Sequence, residues 1–332
     1  MGGLQTIGCF VVGYTSLELS GMGYVKMLKK LHGKKAKADL NISGGISNLK
    51  GGNEQRQIQQ RQIQQTRSND IREEKYDGGD RYVGTFDSNG RRSGKGTYYW
   101  PNGNRYEGDF RDGKMEGYGI QYYANGNRYE GNWKNDKMEG QGTYYWTDGE
   151  KYEGGFRDGL RNGYGIQYYA NGNRYEGNWK NDKMEGQGTY YWPSGERYEG
   201  EFREGLRNGY GIQYYANGNR YEGNWKNDNR EGRGTYYCSN GNRYEGDFRD
   251  DKAEGQGTFY WTDGEKYEGG FRDGKSEGFG TYYWSNGERY EGEFRDDEME
   301  GQGTMYYVDG SSRRCEYKDG TFVRWIDNGD NK

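Results

Sequence analysis

A repeat of 23 residues constrains this chain more than any other feature. From Tyr106 to Tyr290 a tyrosine opens a new copy every 23 residues, and Tyr82 opens a first copy that is one residue longer. A typical copy, residues 129–151, reads YEGNWKNDKMEGQGTYYWTDGEK. A period of this length predicts stacked repeats, in which each unit packs only against its neighbours.

The amino-acid composition excludes a large aliphatic core. Of the 332 residues, 62 are Gly and 36 are Tyr, and only 30% are hydrophobic while 17% are aromatic. Low hydrophobicity alone would favour disorder, but disordered chains are poor in aromatic residues. A large ring can bury about 150–250 Å². We therefore expect an ordered array in which rings replace the aliphatic core.

Within each copy, apolar and polar residues alternate. Tyr129, Gly131 and Trp133 share one face of a strand, and the residues between them are polar. A second strand is predicted over 140–146, with Gly142 and Tyr144 on the same face as Tyr129. The segment NDKMEG is predicted to turn the chain between the two strands. An Asn-Gly or Asp-Gly pair after the second strand is a strong hairpin signal, so each copy is predicted to be one antiparallel hairpin.

The glycines of the apolar face predict how the rings pack. Glycine weakens a strand unless another group must come close, so we expect a ring from the adjacent strand to lie over each of these glycines. The predicted core residues in the first four regular copies are Tyr106, Gly108, Phe110, Tyr129, Gly131, Trp133, Tyr152, Gly154, Phe156, Tyr175, Gly177 and Trp179.

The other face carries rows of charged and tyrosine side chains. An acidic row runs from Glu107 to Glu291 and a basic row from Arg111 to Arg295, and we expect the two rows to form ion pairs across strands. A tyrosine row on this face is the candidate protein-binding surface, with packing within the sheet as the alternative role. It consists of Tyr122, Tyr145, Tyr168, Tyr191, Tyr214, Tyr237, Tyr260 and Tyr283.

A longer period of 46 residues is superposed on the first. Copies of the type YEGNWKND alternate with copies of the type YEG(G/E)FR(D/E)G, and residues 161–182 are identical to residues 207–228. Both ends depart from the pattern, since Arg313 and Cys315 replace the expected Tyr and Gly. Residues 76–81 look like the end of a half copy, and a last strand is predicted over 321–326.

The repeated pattern also carries a family resemblance. Tyr-x-Gly-x-Phe/Trp, then Gly-x-Gly, an aromatic residue and Asn/Asp-Gly recur ten times over residues 82–312. This pattern resembles the MORN (membrane occupation and recognition nexus) repeat. The resemblance implies an all-β fold, an elongated, twisted antiparallel sheet of stacked hairpins, behind an N-terminal leader that we expect to be partly disordered or helical. Members of the family act as scaffolds at membrane junctions, cytoskeletal structures and ciliary assemblies.

The first residues predict attachment to a membrane. Gly2 and Thr6 fit the pattern for N-myristoylation, and Cys9 follows at a distance suited to palmitoylation. A polybasic segment comes next, consisting of Lys26, Lys29, Lys30, Lys34, Lys35 and Lys37. One acyl chain binds a membrane only marginally, and a second chain or a basic patch makes the attachment stable. The alternative is that the pattern arises by chance and the lysines are only solvated.

These features divide the chain into four parts. We predict a basic, acylated leader over 1–52, a Gln-rich and partly helical linker over 53–75, the array over 76–326 and a tail over 327–332. Residues 1–74 carry 11 Lys and Arg against 6 Asp and Glu, a net charge of +5, and the remainder carries −9. The array therefore lacks the positive face that nucleic acids require.

No motif for catalysis, a cofactor or a metal is found in the sequence. The Gly-x-Gly segments are not completed to a dinucleotide-binding motif, and the chain has one histidine, His32, outside the repeats. An active site needs a unique constellation of residues, which near-identical copies do not offer. We therefore expect a protein that is not an enzyme and binds no cofactor.

Three functions remain open from the sequence. The first is a scaffold that links the cytoplasmic face of a membrane to protein partners, in a cytoskeletal, ciliary or membrane-junction assembly, with homo-oligomers formed through the array ends. The second is phosphoinositide binding by the array, which the net charge of −9 disfavours. The third is a regulatory accessory subunit of an enzyme supplied in trans, such as a lipid kinase.

Overall fold

The computed structural model describes residues 71–326, and all their regular secondary structure is β. These residues form 23 strands of one antiparallel sheet. The prediction of an all-β array of stacked hairpins is confirmed.

The strands are of two types that alternate along the chain. Even-numbered strands carry the tyrosine that opens each copy: β2 Arg81–Phe86, β4 Arg105–Arg111, β6 Arg128–Lys134, β8 Lys151–Arg157, β10 Arg174–Lys180, β12 Arg197–Arg203, β14 Arg220–Lys226, β16 Arg243–Arg249, β18 Lys266–Arg272, β20 Arg289–Arg295 and β22 Ser312–Lys318. Odd-numbered strands form the second half of each hairpin: β1 Arg72–Lys75, β3 Arg92–Tyr99, β5 Lys114–Tyr122, β7 Lys137–Tyr145, β9 Leu160–Tyr168, β11 Lys183–Tyr191, β13 Leu206–Tyr214, β15 Asn229–Tyr237, β17 Lys252–Tyr260, β19 Lys275–Tyr283, β21 Glu298–Tyr306 and β23 Thr321–Trp325.

Each strand pairs with the strands immediately before and after it in the chain. The register places Tyr129 opposite Tyr144 and Gly131 opposite Gly142, as the alternation of apolar residues predicts. Because every connection joins adjacent strands, all pairings are local. Among the described residues, β1 and β23 are the two edges of the sheet.

The turn after each even-numbered strand from β4 to β22 is shorter than predicted. It contains only Asn135 and Asp136 in the typical copy, whereas residues 137–140 belong to β7. Asn135 and Asp136 have φ angles of 48° and 67°. Two consecutive positive φ angles define the type I′ turn, which suits the twist of a hairpin. The prediction that all of NDKMEG turns the chain was wrong because two residues with positive φ are enough to reverse it, and Asn and Asp adopt that conformation readily.

The loop after each odd-numbered strand has three residues at its tip. The Tyr123 N–H donates to the Asn127 carbonyl at 3.0 Å, and the Gly126 N–H donates to the Tyr123 carbonyl at 2.8 Å. Gly126 has a φ of 88°. This geometry is a type I turn followed by a left-handed residue, the usual three-residue hairpin loop. The Asn-Gly pair therefore marks a hairpin as predicted.

The core consists of tyrosine rings lying over pairs of glycines. A Cβ atom on Gly131 would stand 2.5 Å from the Tyr129 hydroxyl and 2.5 Å from the Gly142 Cα, and one on Gly142 would stand 2.3 Å from the same hydroxyl. The ring over Gly142 comes from the adjacent strand, as predicted. The ring over Gly131 belongs to the same strand, which corrects the prediction for that glycine. Tyr129 also donates from its hydroxyl to the Asn132 carbonyl at 3.0 Å.

The rings of successive copies form one continuous row. The ring centre of Tyr129 lies 5.2 Å from Trp133 in its own strand and 5.0 Å from Phe156 in the next copy, edge to face in both cases. All eight predicted core rings are buried, with at most 6% of each exposed. Burial of one such ring contributes about 4–6 kcal/mol before conformational entropy is subtracted. The row of buried rings thus takes the place of an aliphatic core.

Bulky residues replace the ring-covered glycines at both ends of the array. Arg72 stands opposite Gly84, with its guanidinium 4.4 Å from the ring centre of Phe86. At the other end Cys315 stands opposite Trp325, over which Arg313 stacks at 4.6 Å. A further copy cannot lay its tyrosine ring over Arg72 or Trp325, so these residues end the stack.

The array begins and ends close to the predicted bounds. Strand β23 confirms the last strand, and β1 with the following loop is the expected half copy. However, residues 72–75 were assigned to the linker and form β1 instead, because their charged side chains mask the strand pattern. The leader, the rest of the linker and residues 327–332 lie outside the described residues.

Replacing Gly131 by Ala should destabilise the array. The new methyl group would collide with the Gly142 backbone and the Tyr129 ring, and overpacking of this kind costs about 1–3 kcal/mol. Urea unfolding followed by circular dichroism measures the change. The matched control is Gly78→Ala, where a Cβ would meet only the flexible Asp80 side chain at 3.2 Å. Equal stability of the two variants would contradict the packing described.

Candidate protein-binding surface

The predicted tyrosine row lies on the face of the sheet opposite the core rings, which we call the polar face. All eight tyrosines of this row are partly buried. A cation from the neighbouring strand covers each ring, as Arg128 does over Tyr145 at 4.3 Å and Lys151 over Tyr168 at 4.4 Å. Such a contact is worth about 0.5–1 kcal/mol at an exposed site. The row is therefore packed under charged side chains, and its role in binding stays a prediction.

The ion pairs of the polar face differ from those expected. Glu130 pairs with Arg128, two residues earlier in the same strand, at 3.3 Å. Arg111, from the predicted basic row, pairs instead with Glu116 of the next strand at 3.7 Å. The predicted pairing of the two rows was wrong because Arg128 and its equivalents are closer to the acidic row and stack on the tyrosines as well.

A second set of aromatic residues on the polar face is much more exposed. Tyr118, Tyr164 and Tyr210 are 48%, 56% and 49% exposed. We call them the ridge tyrosines. They recur every 46 residues, and Gln141 and Gln187 occupy the same position in the intervening copies. Sequence reasoning missed these residues, although the alternation of two copy types was the signal that could have found them.

Each ridge tyrosine is held in place by a carboxylate. The Tyr118 hydroxyl donates to Glu130 at 2.7 Å, and Tyr164 and Tyr210 make the same bond to Glu176 and Glu222. The hydrogen bond to the Glu130 carboxylate, together with partial desolvation, raises the pKa of Tyr118 above its ordinary value. The ring is thus neutral and oriented before any partner binds.

Each ridge tyrosine lies on a strand with an apolar outer surface. On β5 the side chains of Tyr118, Ile120 and Tyr122 follow one another on the polar face, whereas β7 presents Gln141, Thr143 and Tyr145 there. Strands β9 and β13 share the sequence GYGIQY with β5, so they repeat its arrangement. Since strands are about 4.8 Å apart, ridges on every fourth strand are about 19 Å apart.

A shallow recess lies between two successive ridges. It has a volume of about 480 Å³, with Tyr118 and Tyr164 as walls and Thr143 at its base. Glu130 and Glu153 supply its charged groups. The recess combines aromatic walls with polar groups at its base, and it is open enough for a segment of another protein.

The other predicted sites are not brought together with this surface. Gly2, Cys9 and the six lysines from Lys26 to Lys37 lie outside the described residues. Residues 71–326 contain no group of three or more acidic, histidine or cysteine side chains arranged to hold a metal. In the same range there is no helix long and apolar enough to cross a membrane.

Comparison with known sequences identifies the repeat. The family model for the MORN repeat matches ten consecutive segments: 82–105, 106–128, 129–151, 152–174, 175–197, 198–220, 221–243, 244–266, 267–289 and 290–312. Together they cover 231 of the 332 residues. No curated protein matches the chain.

Several solved structures show a distant similarity. The TCP domain of SAS-4 (dCPAP) from Drosophila melanogaster, in complex with a proline-rich motif of Ana2, is 13% identical, with coverage of 61% of this chain and 90% of that chain and a TM-score of 0.25. The TCP10 domain of CPAP from Danio rerio is 10% identical, with coverage of 77% and 99% and a TM-score of 0.21. Virginiamycin B lyase from Staphylococcus aureus is 8% identical, with coverage of 76% and 85% and a TM-score of 0.14. At these scores the similarities say nothing about function.

Replacing Glu130 by Gln should lower the pKa of Tyr118 towards its ordinary value, because the negative charge that opposes ionisation of the ring is removed. Tetranitromethane reacts with the ionised ring, so nitration of Tyr118 should become several-fold faster. Peptide mass spectrometry measures the rate. Tyr164 in the same molecule keeps Glu176 and is the internal control; equal acceleration at both tyrosines would contradict the prediction.

Proposed function

The chain belongs to the MORN-repeat family, and from this premise we propose that it is a non-catalytic scaffold that links a membrane surface to protein partners. The leader attaches the chain to the membrane, and the polar face of the array holds the partners. Such a protein serves a cytoskeletal, ciliary or membrane-junction assembly, at the cytoplasmic face of the membrane.

The observation that carries this proposal is the repetition of the ridge tyrosines. Three nearly identical apolar strands are presented about 19 Å apart on one face, and two of them lie in identical sequence. Equivalent sites on one rigid support bind a repeated partner with far higher avidity than any one site. Tyrosine suits such sites because it offers a large contact area at a low cost in entropy.

The membrane part of the proposal depends on the leader. Gly2, Cys9 and the lysines supply two acyl chains and a basic patch, which together give stable attachment. Each lysine near an anionic membrane surface adds about 1 kcal/mol. Homo-oligomers through the array ends would use the backbone edges of β1 and β23, which pair on one side only within the described residues.

Two alternatives give the chain a different role. In the first, the array itself binds phosphoinositides. In the second, the chain is a regulatory accessory subunit of a lipid kinase supplied in trans. The net charge of −9 after residue 74 disfavours the first, since anionic head groups are repelled. The second predicts a kinase among the partners of the polar face.

The ridge tyrosines can be tested by photo-crosslinking. A benzophenone amino acid at Gln141, between two ridges, should form adducts with partner proteins in cell extract, whereas one at Asn171 in a loop should form few. Replacing Tyr118, Tyr164 and Tyr210 together by Ser should reduce the adducts from position 141 about tenfold, because aromatic anchors dominate interfaces. The matched control replaces Gln187, Gln256 and Gln302 by Ser. Adduct yields that do not respond to the tyrosine changes would refute the proposal.

The membrane attachment can be tested in the full chain. Gly2→Ala should move most of the protein from the membrane to the soluble fraction, because one acyl chain and its dependent palmitoylation are lost. In the full chain produced without acylation, replacing the six lysines by Gln should abolish binding to phosphoinositide vesicles, measured by flotation. If vesicle binding survives the lysine changes, the array binds the lipid and the alternative is correct.

A further inference from the structure

The negative charge of the array is concentrated in its last three copies. Residues 244–312 contain 18 Asp and Glu against 7 Lys and Arg, a net charge of −11. Residues 75–243 contain 24 Asp and Glu against 25 Lys and Arg, a net charge of +1. Since the copies share one fold, the repeat itself does not require this difference. The last three copies therefore have an electrostatic character of their own.

Part of the added charge lies on the polar face. Position 247 is Asp and position 293 is Glu, whereas the same position is Asn132, Asn178 and Asn224 in three earlier copies and Asp109 and Glu201 in two others. Glu293 stands directly opposite Phe279 in the sheet. A carboxylate thus lies beside the position that the ridge tyrosines occupy in earlier copies.

Phe279 is itself unusual. It is 69% exposed, more than any ridge tyrosine, and its ring has no hydroxyl to bond a carboxylate. A single exposed ring is common on protein surfaces, so the significance of Phe279 comes from the carboxylate and the recess beside it. The face of the ring is also electron-rich and attracts a cation.

A recess of about 460 Å³ adjoins Phe279. Its lining includes Glu245, Glu268, Thr258 and Thr281, with Arg233 at the far side. Glu245 is paired with Arg243 at 2.5 Å and Glu268 with Lys266 at 2.6 Å, so the recess is polar and its own charges are balanced. The additional carboxylate beside Phe279 is that of Glu293. A long side chain with an apolar stem and a cationic end matches this combination of ring, recess and carboxylates.

We propose that the polar face of β16 to β20, around Phe279, binds a lysine- and arginine-rich segment of a partner protein. A guanidinium or ammonium group stacks on Phe279, its stem lies in the recess, and Glu293, which stands beside Phe279, attracts a flanking cation. Charge complementarity selects this partner, because a net charge of −11 repels acidic segments and anionic lipids. The inference rests on the proposed scaffold function and adds a second site with its own specificity.

The test is fluorescence anisotropy with the full chain and a fluorescein-labelled dodecapeptide in which Arg alternates with Leu. Phe279→Ser should weaken binding about fivefold, the loss expected from one cation–aromatic contact. Glu293→Gln should weaken binding about fivefold and reduce its dependence on salt. Circular dichroism and urea unfolding check that both variants fold.

The matched controls place the same changes in the middle copies. Gln187→Ser, alone or with Glu201→Gln, changes the corresponding pair of the middle copies and should leave affinity for the peptide unchanged. A peptide with Glu in place of Arg should not bind. Equal weakening by the middle-copy variants, or no effect of Phe279→Ser, would overturn the inference.

A last variant tests whether the site around Phe279 binds a partner protein or the basic leader of the same chain. Replacing Lys26, Lys29, Lys30, Lys34, Lys35 and Lys37 by Gln should not change the affinity for the peptide. A tenfold gain would mean that the leader competes for the site, and the assignment to a partner protein would be wrong. The photo-crosslinking test at position 141 does not depend on the site around Phe279. If crosslinking still requires the ridge tyrosines, the scaffold function stands even when the peptide does not bind, so the two proposals can fail separately.

Discussion

A tyrosine ring lying over two bare glycines is the interaction on which the rest of this array depends. Tyr129 covers Gly131 in its own strand and Gly142 in the next, and its hydroxyl bonds the Asn132 carbonyl. The single contact thereby buries a ring, shields two stretches of backbone and joins two strands. Because no other residue fits beneath the ring, the two glycines and the tyrosine are tied to one another in every copy.

This constraint acts on one face of the sheet and leaves the other face free. The core face repeats its Tyr, Gly and Phe/Trp residues every 23 positions, and variation there is confined to neighbouring positions, as where buried Gln121 alternates with Tyr144. The exposed positions of the polar face change as well, from Tyr118 to Gln141 and back to Tyr164, and then to Phe279 in the acidic copies. Variation on a face whose fold does not depend on it is available for recognition, which is why both proposed binding surfaces lie there.

The polar face also differs in charge from one part to another. Arg128 and its equivalents cover the inner tyrosines and neutralise the acidic row, so that this part of the surface is closed and locally balanced. The ridge tyrosines and Phe279 project beyond it. The middle copies carry almost no net charge while the last three are strongly acidic, so one fold presents two surfaces with different preferences for their partners.

The sequence by itself determined the repeat, the alternating strands, the two faces and the core rings, because each follows from a period that local chemistry imposes. Tyr129, Gly131 and Trp133 could be placed on one face from their spacing alone. Only the tertiary structure decided that Asn135 and Asp136 make the whole turn, that Arg128 rather than Lys134 pairs with Glu130, and that Tyr118 is exposed while Tyr122 is covered. These outcomes depend on which side chains meet across neighbouring strands, and a one-dimensional pattern does not contain those distances.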